Sequence, residues 1–341
     1  MYTFAFAHVN IATMPVTITQ IAQILNLSHT TVSRVLNDRP DRYISEETRR
    51  RVWETARQVG YRPNRAAQAL VTGKTRQIAL WMSSLETAFH AQVIHVVELQ
   101  LRQSGYQVLI GVLPEDMEQD WQPPTGVDGY LVFEGARYLA AIDSASRAKA
   151  VCMGGTNFRA PGHDCVGFDL SAGSQDALTH LATQGFKRIA YVGAGFEEPR
   201  LSTYRTFMRE NRLPSELILT DSQSRSDVRK AMVARLKAGP APEALFCFND
   251  AAALAAYRAI RDLGLSVPGD VAITGCDGIE DTEYLDVPIT TIQLPLAEMC
   301  RRAWRLLQAR MEDSEQPPQF ELIRPELILR ASSVRNSQLR S

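Results

Sequence analysis

The chain has 341 residues, 45% of them hydrophobic and 22% charged, with a formal net charge of −1. That length accommodates two or three domains with a sizeable core. No apolar run approaches the ~18 residues of a membrane span and the N-terminus lacks the basic stretch of a secretory signal, so the sequence reads as cytoplasmic.

Met1 to Thr13 carry no charge and no helix cap, whereas a helix signal opens at Met14; residues 1–15 are expected to be a disordered extension or to precede the true start. The near-neutral total hides an asymmetry. Residues 14–76 hold 11 basic against 5 acidic side chains, and the remainder 26 against 33. A basic head on an acidic body points to a polyanionic partner for the head alone.

Within the head, Thr17 and Gln20 fit a capping box, and Ile18, Ile21, Ala22 and Leu25 share one helical face. Asn26 suits a left-handed helix end and Ser28 can cap a second helix almost at once, which makes a tight helix-turn-helix. A third helix begins at Ser45 with Glu46 and Glu47 in its positive first turn, buries Val52, Ala56 and Val59, and stops at Gly60. In the second helix Val32, Val35 and Leu36 face inward, which leaves Ser28, His29, Thr30, Thr31, Ser33, Arg34 and Asn37 elsewhere. Running from His29 to Asn37 it is ~13 Å long, a fit to a major groove ~12 Å wide. Arg34 can pair bidentately with guanine, His29 and Thr30 lie at the helix start where bases are read, and Ser28, Thr31 and Ser33 suit phosphate oxygens. The competing reading is a small solvated three-helix bundle.

Beyond Gly60, "YRPNRAAQALVTGKTR" offers a break at Pro63, a cap at Asn64 and about a turn and a half of helix from Arg65 to Leu70, too short to be stable alone. Its Ala66, Ala67, Ala69 and Leu70 have no evident core, so the segment is either a linker or an apolar wedge for a minor groove.

The strings "ITQIAQILNLSHTTVSRVLN" and "ISEETRRRVWETARQVGYRPNRAAQALVTGKT" resemble the headpiece and hinge of the lac repressor family of bacterial regulators, from Val16 to Thr75. The resemblance implies that His29, Thr30 and Arg34 read bases, that Asn64 begins a hinge helix, and that Leu70 intercalates. Thr17 and Ala67 join the DNA-binding set on the same basis. Asn26 departs from the family's usual glycine but can adopt the same backbone conformation.

From Gln77 the pattern becomes apolar strands alternating with helices: "QIALWM", a helix near 90–104, "YQVLIGV", "GYLVF", a helix near 136–147 and "AVCMG". A second set comes next with a helix near 171–184, then "RIAYVG", "ELILT", "EALFCF" and "DVAITGC". Repeated strand-helix units imply parallel sheets covered on both faces, and two sets imply two lobes. Ligands of such sheets bind beyond the carboxyl ends of strands. Ser83, Ser84, Asp169, Asn249, Asp250 and Asp277 sit at such ends; singly each reads first as a helix cap, together they outline a hydrophilic pocket. The strings "FND", "GCDG" and "PITTI" resemble the periplasmic-binding-protein-like sensor domain of the same family. By that resemblance Arg200 is the effector-binding arginine, although Thr203 replaces a glycine of its motif. Ser83, Phe89, Asn249 and Asp277 are the further contacts, a set suited to a polyhydroxylated ligand. Gly154 stands where many sugar-responsive members have an acidic residue, and Leu294 and Leu296 replace polar or aromatic pocket residues, so a nucleobase or a phosphorylated metabolite is the alternative.

Other signals are weak. "GAGFEE" lacks the third glycine of a dinucleotide loop and carries two repelling glutamates. His90 and His95 are five apart, Cys165 and His163 have no further ligands nearby, and Cys152, Cys165, Cys247, Cys276 and Cys300 show no paired spacing. No metal, cofactor or catalytic set is expected. The sequence therefore predicts an all-α helix-turn-helix headpiece over residues 16–62, a hinge helix and linker over 63–76, and a two-lobed α/β domain of two doubly wound parallel sheets over 77–331. A tail without leucine heptads, residues 332–341, completes it. The expected protein is a homodimeric repressor of an inverted-repeat operator governed by a small sugar-like effector. A free solute-binding protein and a cleft enzyme are the rivals; neither explains the head.

Overall fold

A computed structural model describes residues 16–37, 43–62, 65–114, 123, 126–140, 142, 149–156, 158–220, 222 and 224–335. Two compact units divide at Thr75 and Arg76.

In the first unit, α1 (Ile18–Leu25), α2 (His29–Leu36) and α3 (Glu46–Gln58) enclose a core of Ile21, Ala22, Val32, Val35, Leu36, Val52 and Ala56. Local chemistry sets every boundary. Thr17 and Gln20 form the reciprocal capping box, Asn26 ends α1 at φ 52°, and Ser28 and Ser45 accept the Thr31 and Thr48 amides at the starts of α2 and α3. Val59 is only half-buried, as the cap residue of α3 rather than part of it. The expected short hinge segment is a helix, α4 (Arg65–Thr72), two residues longer than anticipated. Its end is closed by the Thr72 hydroxyl donating to the Gln68 carbonyl at 2.8 Å and by the Gly73 amide donating to Ala69. Asn64 lies outside the described residues.

The second unit has two six-stranded sheets. The first contains β1 (Gln77–Met82), β2 (Gln107–Val112), β3 (Gly129–Phe133), β4 (Lys149–Gly154), β5 (Asp164–Phe168) and β11 (Phe320–Ile323), in the order β11-β5-β4-β3-β1-β2, all parallel. The second contains β6 (Ile189–Ala194), β7 (Glu216–Thr220), β8 (Ala244–Cys247), β9 (Ala272–Asp277), β10 (Thr290–Gln293) and β12 (Glu326–Ile328). Its order is β12-β10-β9-β8-β6-β7, with only β12 antiparallel. The helices are α5 (Ala88–Gln103), α6 (Leu170–Thr183), α7 (Pro199–Glu210), α8 (Arg225–Ala238), α9 (Asp250–Asp262) and α10 (Leu296–Glu312). β3, β5 and β9 are buried along their whole length, which is why their sequences run apolar without alternation.

The expectation of two successive strand-helix sets needs correction. After β10 the chain returns to the first lobe, where α10 packs on α5, β3, β4 and β5 and β11 joins the sheet edge, before β12 re-enters the second lobe. The chain thus passes between lobes three times. Of the helix expected near 136–147, Ala136–Tyr138 form a 3-10 turn and Leu139, Ala140 and Ile142 are helical, while residues 141 and 143–148 lie outside the described residues. All five cysteines are buried and without disulfides. No described helix is long and apolar enough to cross a membrane.

The return of α10 is pinned by an ion pair between half-buried Arg310 and buried Asp164. Arg310 Nε lies 2.9 Å from Asp164 Oδ2, and the Gln319 amide donates to Asp164 Oδ1 at 2.8 Å. Removing one partner of such a pair strands the other charge. Arg310→Met should therefore cost the second unit about 3 kcal/mol in urea unfolding, well above the ~0–1 kcal/mol of an exposed pair.

Candidate functional site

Two surfaces carry polar groups beyond what local structure consumes, one in each unit. On α2 the apolar thread faces the headpiece core, which leaves His29, Thr30 and Arg34 exposed. Half of the polar capacity at this helix is spent internally. Ser28 Oγ lies 2.8 Å from Thr31 Oγ1, and Asn37 Nδ2 donates to the Ser33 carbonyl at 2.8 Å and to its hydroxyl at 3.2 Å. Thr17, exposed, is likewise engaged with Gln20. On α4, Leu70 is 89% exposed and Ala67 is exposed beside it on the same face.

The second surface is a cleft of about 1170 Å³ between the lobes of the second unit, and it brings together Ser83, Phe89, Arg200, Asn249 and Asp277. Each is held by the element that delivers it. Ser83 follows β1 and its amide donates to the Phe133 carbonyl. Phe89 lies in the first turn of α5, which Thr87 caps, and its ring sits 6.0 Å from Phe133. Asn249 caps α9 through Oδ1, 2.8 Å from the Ala252 amide, so it is a helix cap and a cleft residue at once.

Arg200 is the most constrained. Its Nε donates to Glu198 Oε2 at 2.9 Å, its Nη1 donates to the Phe248 carbonyl at 2.8 Å, and its guanidinium lies 3.8 Å over the Phe248 ring. Burial opposes its charge, but Glu198, Cys276 and Asp277 outweigh that and raise its pKa. Glu198 also caps α7 through the Leu201 amide, so the "GAGFEE" glutamate is a cap and counterion. Thr203, where the family motif has glycine, donates its hydroxyl to Pro199 in the helix.

Asp277 ends β9 at φ 132°, an unusual conformation for a residue with a side chain. Burial first, then Asp250, push its carboxyl well above the ordinary range, against the pull of Arg200. Asp250 is the structural partner, accepting from the Gly278 and Ile279 amides at 2.8 and 2.9 Å and from Thr291 Oγ1 at 2.7 Å. Asp169 caps α6 and does not line the cleft. Leu294 and Leu296 line a separate cavity of about 590 Å³ with Gly278 and Pro295.

Sequence reasoning missed Glu134, Phe196 and Phe248, which line the same cleft. Glu134 directly follows "GYLVF", and the strand-end rule that selected Ser83 applies to it equally. Among the described residues no group of side chains is arranged to hold a metal ion.

A helix-turn-helix unit joined to a two-lobed unit with a polar interlobe cleft is the architecture of a DNA-binding transcriptional regulator. Residues 17–64 match the bacterial regulatory proteins of the lacI family, and residues 178–333 match the periplasmic binding protein-like domain. The chain thus joins a helix-turn-helix domain of the lacI regulator type to a periplasmic binding protein-like domain. It is 29% identical over 331 residues, 93% of this chain and 96% of the relative, to the HTH-type transcriptional repressor PurR of Escherichia coli O139:H28. Among solved structures, it is similar to the lac repressor dimer bound to operator and the anti-inducer ONPF, at TM-score 0.78 and 23% identity, with 94% of this chain and 100% of that chain covered. A lacI-family regulator from Enterococcus faecium with bound ribose aligns at TM-score 0.68 and 22% identity, covering 76% of this chain and 98% of that one.

The carboxyl pair has a consequence for pH. Asp250 and Asp277 hold their protons more tightly folded than unfolded, so their contribution to stability is full below the ordinary carboxylate range. It is lost as pH rises through the folded values, about 6 for Asp250. Asp277→Asn should raise the unliganded melting temperature near neutral pH by roughly 2–4 °C. It should also flatten the fall in stability as pH rises above the ordinary carboxylate range, as read by calorimetry.

Proposed function

We propose that the protein is a cytoplasmic repressor that binds an inverted-repeat operator as a homodimer and is controlled by a small hydrophilic effector, a sugar or sugar derivative, in the interlobe cleft. The observation that carries this reading is the convergence of Ser83, Phe89, Arg200, Asn249 and Asp277 on that one cleft, in a chain whose other unit offers a DNA-reading helix.

In this reading His29, Thr30 and Arg34 contact base edges in the major groove. Thr17, Ser28, Thr31, Ser33 and Asn37 fix the approach to the backbone through the groups that order the helix ends. Asn64 opens the hinge, and Leu70, with Ala67 beside it, wedges into the minor groove with its counterpart from the second subunit. Support for the dimer comes from β2, an edge strand exposing Leu109, Ile110 and Val112 at 40–49%. A long apolar edge of this kind normally requires a partner. Effector held between lobes would alter their geometry and thereby the register of paired hinges, a coupling of ~1–3 kcal/mol, or ~5–150-fold in operator affinity.

A nucleobase is the second reading, favoured by Phe196, which is 45% exposed and meets Phe248 edge-on at 6.0 Å in the cleft. A flat ligand can stack on such a ring.

Gel shifts with DNA from upstream of the gene and its neighbours, with and without candidate ligands, test the reading. Arg34→Ala should lose ~1–3 kcal/mol of discrimination between operator and altered operator. Arg200→Ala should lose the response of operator binding to ligand. Equal retention of all sequences by the wild type, whatever ligand is present, would refute regulation by specific binding. Light scattering should give a dimer; a stable tetramer would contradict the expectation drawn from the tail.

A further inference from the structure

We infer that Glu134 sets the chemical class of the effector, selecting donor-rich, uncharged or cationic ligands and rejecting anionic ones at the inner end of the cleft. This rests on the reading of the cleft as the effector site.

Glu134 is built into place. It leaves β3 in a left-handed conformation, φ 55°, that a side chain seldom adopts without compensation. Its amide donates to the Met153 carbonyl at 2.9 Å, and its Oε1 accepts from the Gly155 and Thr156 amides at 3.2 and 3.1 Å. One oxygen is therefore fixed by the backbone of the neighbouring strand end. Among the described residues no donor reaches Oε2, on a side chain that lines the cleft.

Gly154 makes the room. It ends β4 at φ 144°, and a Cβ there would fall 2.6 Å from Glu134 Cγ. The absent side chain at 154 and the carboxylate from 134 occupy the same space, so the acidic group missing from one strand end is supplied by the next strand in the sheet.

Across the cleft stands Asp277, also at positive φ and also at a strand end. Each lobe thus contributes one conformationally strained carboxyl residue. The inner cation, Arg200, is already matched by Glu198, and Arg225 lies on the exposed start of α8. The inner cleft thus sets two carboxyl groups beside one guanidinium that is already paired, a charge pattern that suits hydroxyls, amines or ring N–H groups and disfavours a phosphate or carboxylate.

The test uses the full-length protein in thermal-shift titrations against a panel of monosaccharides, disaccharides, amino sugars and nucleobases, together with the phosphate esters of the same sugars. Compounds that raise the melting temperature should be unphosphorylated. For those compounds Glu134→Gln, which keeps the shape and still accepts from the two amides, should weaken binding about 10- to 100-fold. Glu134→Ala should weaken it at least as much. Stabilisation by phosphate esters with the parent sugars silent would overturn the inference, as would affinity within twofold of wild type in both variants; either outcome leaves the effector site standing. A wild type stabilised by no compound of the panel would sink the effector reading itself and this inference with it.

Discussion

A parallel strand can be followed by a parallel neighbour only if the chain crosses back over the sheet, and that constraint organises the second unit. Crossing segments cover the central strands on both faces, so β3, β5 and β9 are buried along their length and the polar turns lie at the strand ends. In both lobes the carboxyl ends of the strands open on the cleft. Ser83, Glu134, Asn249 and Asp277 come from β1, β3, β8 and β9 and reach one another only because the two sheets face each other in this way.

Three passages between lobes add a second constraint. Because β5 leads to α6, β10 to α10 and β11 to β12, neither lobe is a continuous stretch of chain. Buried side chains of both sheets also belong to one apolar cluster, which includes Leu80, Phe133, Tyr191 and Phe246. A shift of one lobe against the other must therefore be absorbed at these connections. Asp277 stands at such a place, its carbonyl accepting from the Leu294 amide just before α10 departs.

Charge in the cleft is arranged rather than balanced. Arg200 is paired with Glu198 through Nε and held by the Phe248 carbonyl through Nη1 and by the Phe248 ring, whereas Asp277 is pressed by Asp250 from behind and Glu134 from across the cleft. Low-dielectric surroundings make such unmatched carboxyls costly, and residues strained in this way concentrate at binding sites because a ligand relieves them. The headpiece follows the opposite economy. Its internal hydrogen bonds engage Ser28, Thr31, Ser33 and Asn37, and His29, Thr30 and Arg34 stand exposed on α2.

Sequence alone determined whatever depends on neighbours along the chain. The capping box at Thr17, the left-handed Asn26 and the inward Val32, Val35 and Leu36 are local effects, and the alternation of strands and helices is nearly so. Helix caps at Asp169 and Asn249 were legible for the same reason. Only the tertiary structure decided which distant segments share a surface. The return of α10 and β11 to the first lobe carries no local mark, since an apolar strand pairs equally well with either sheet until its neighbours are in place. Glu134 was invisible as a partner of Gly154 because twenty residues separate them in sequence, and only β3 lying beside β4 turns a missing Cβ into the space a carboxylate fills.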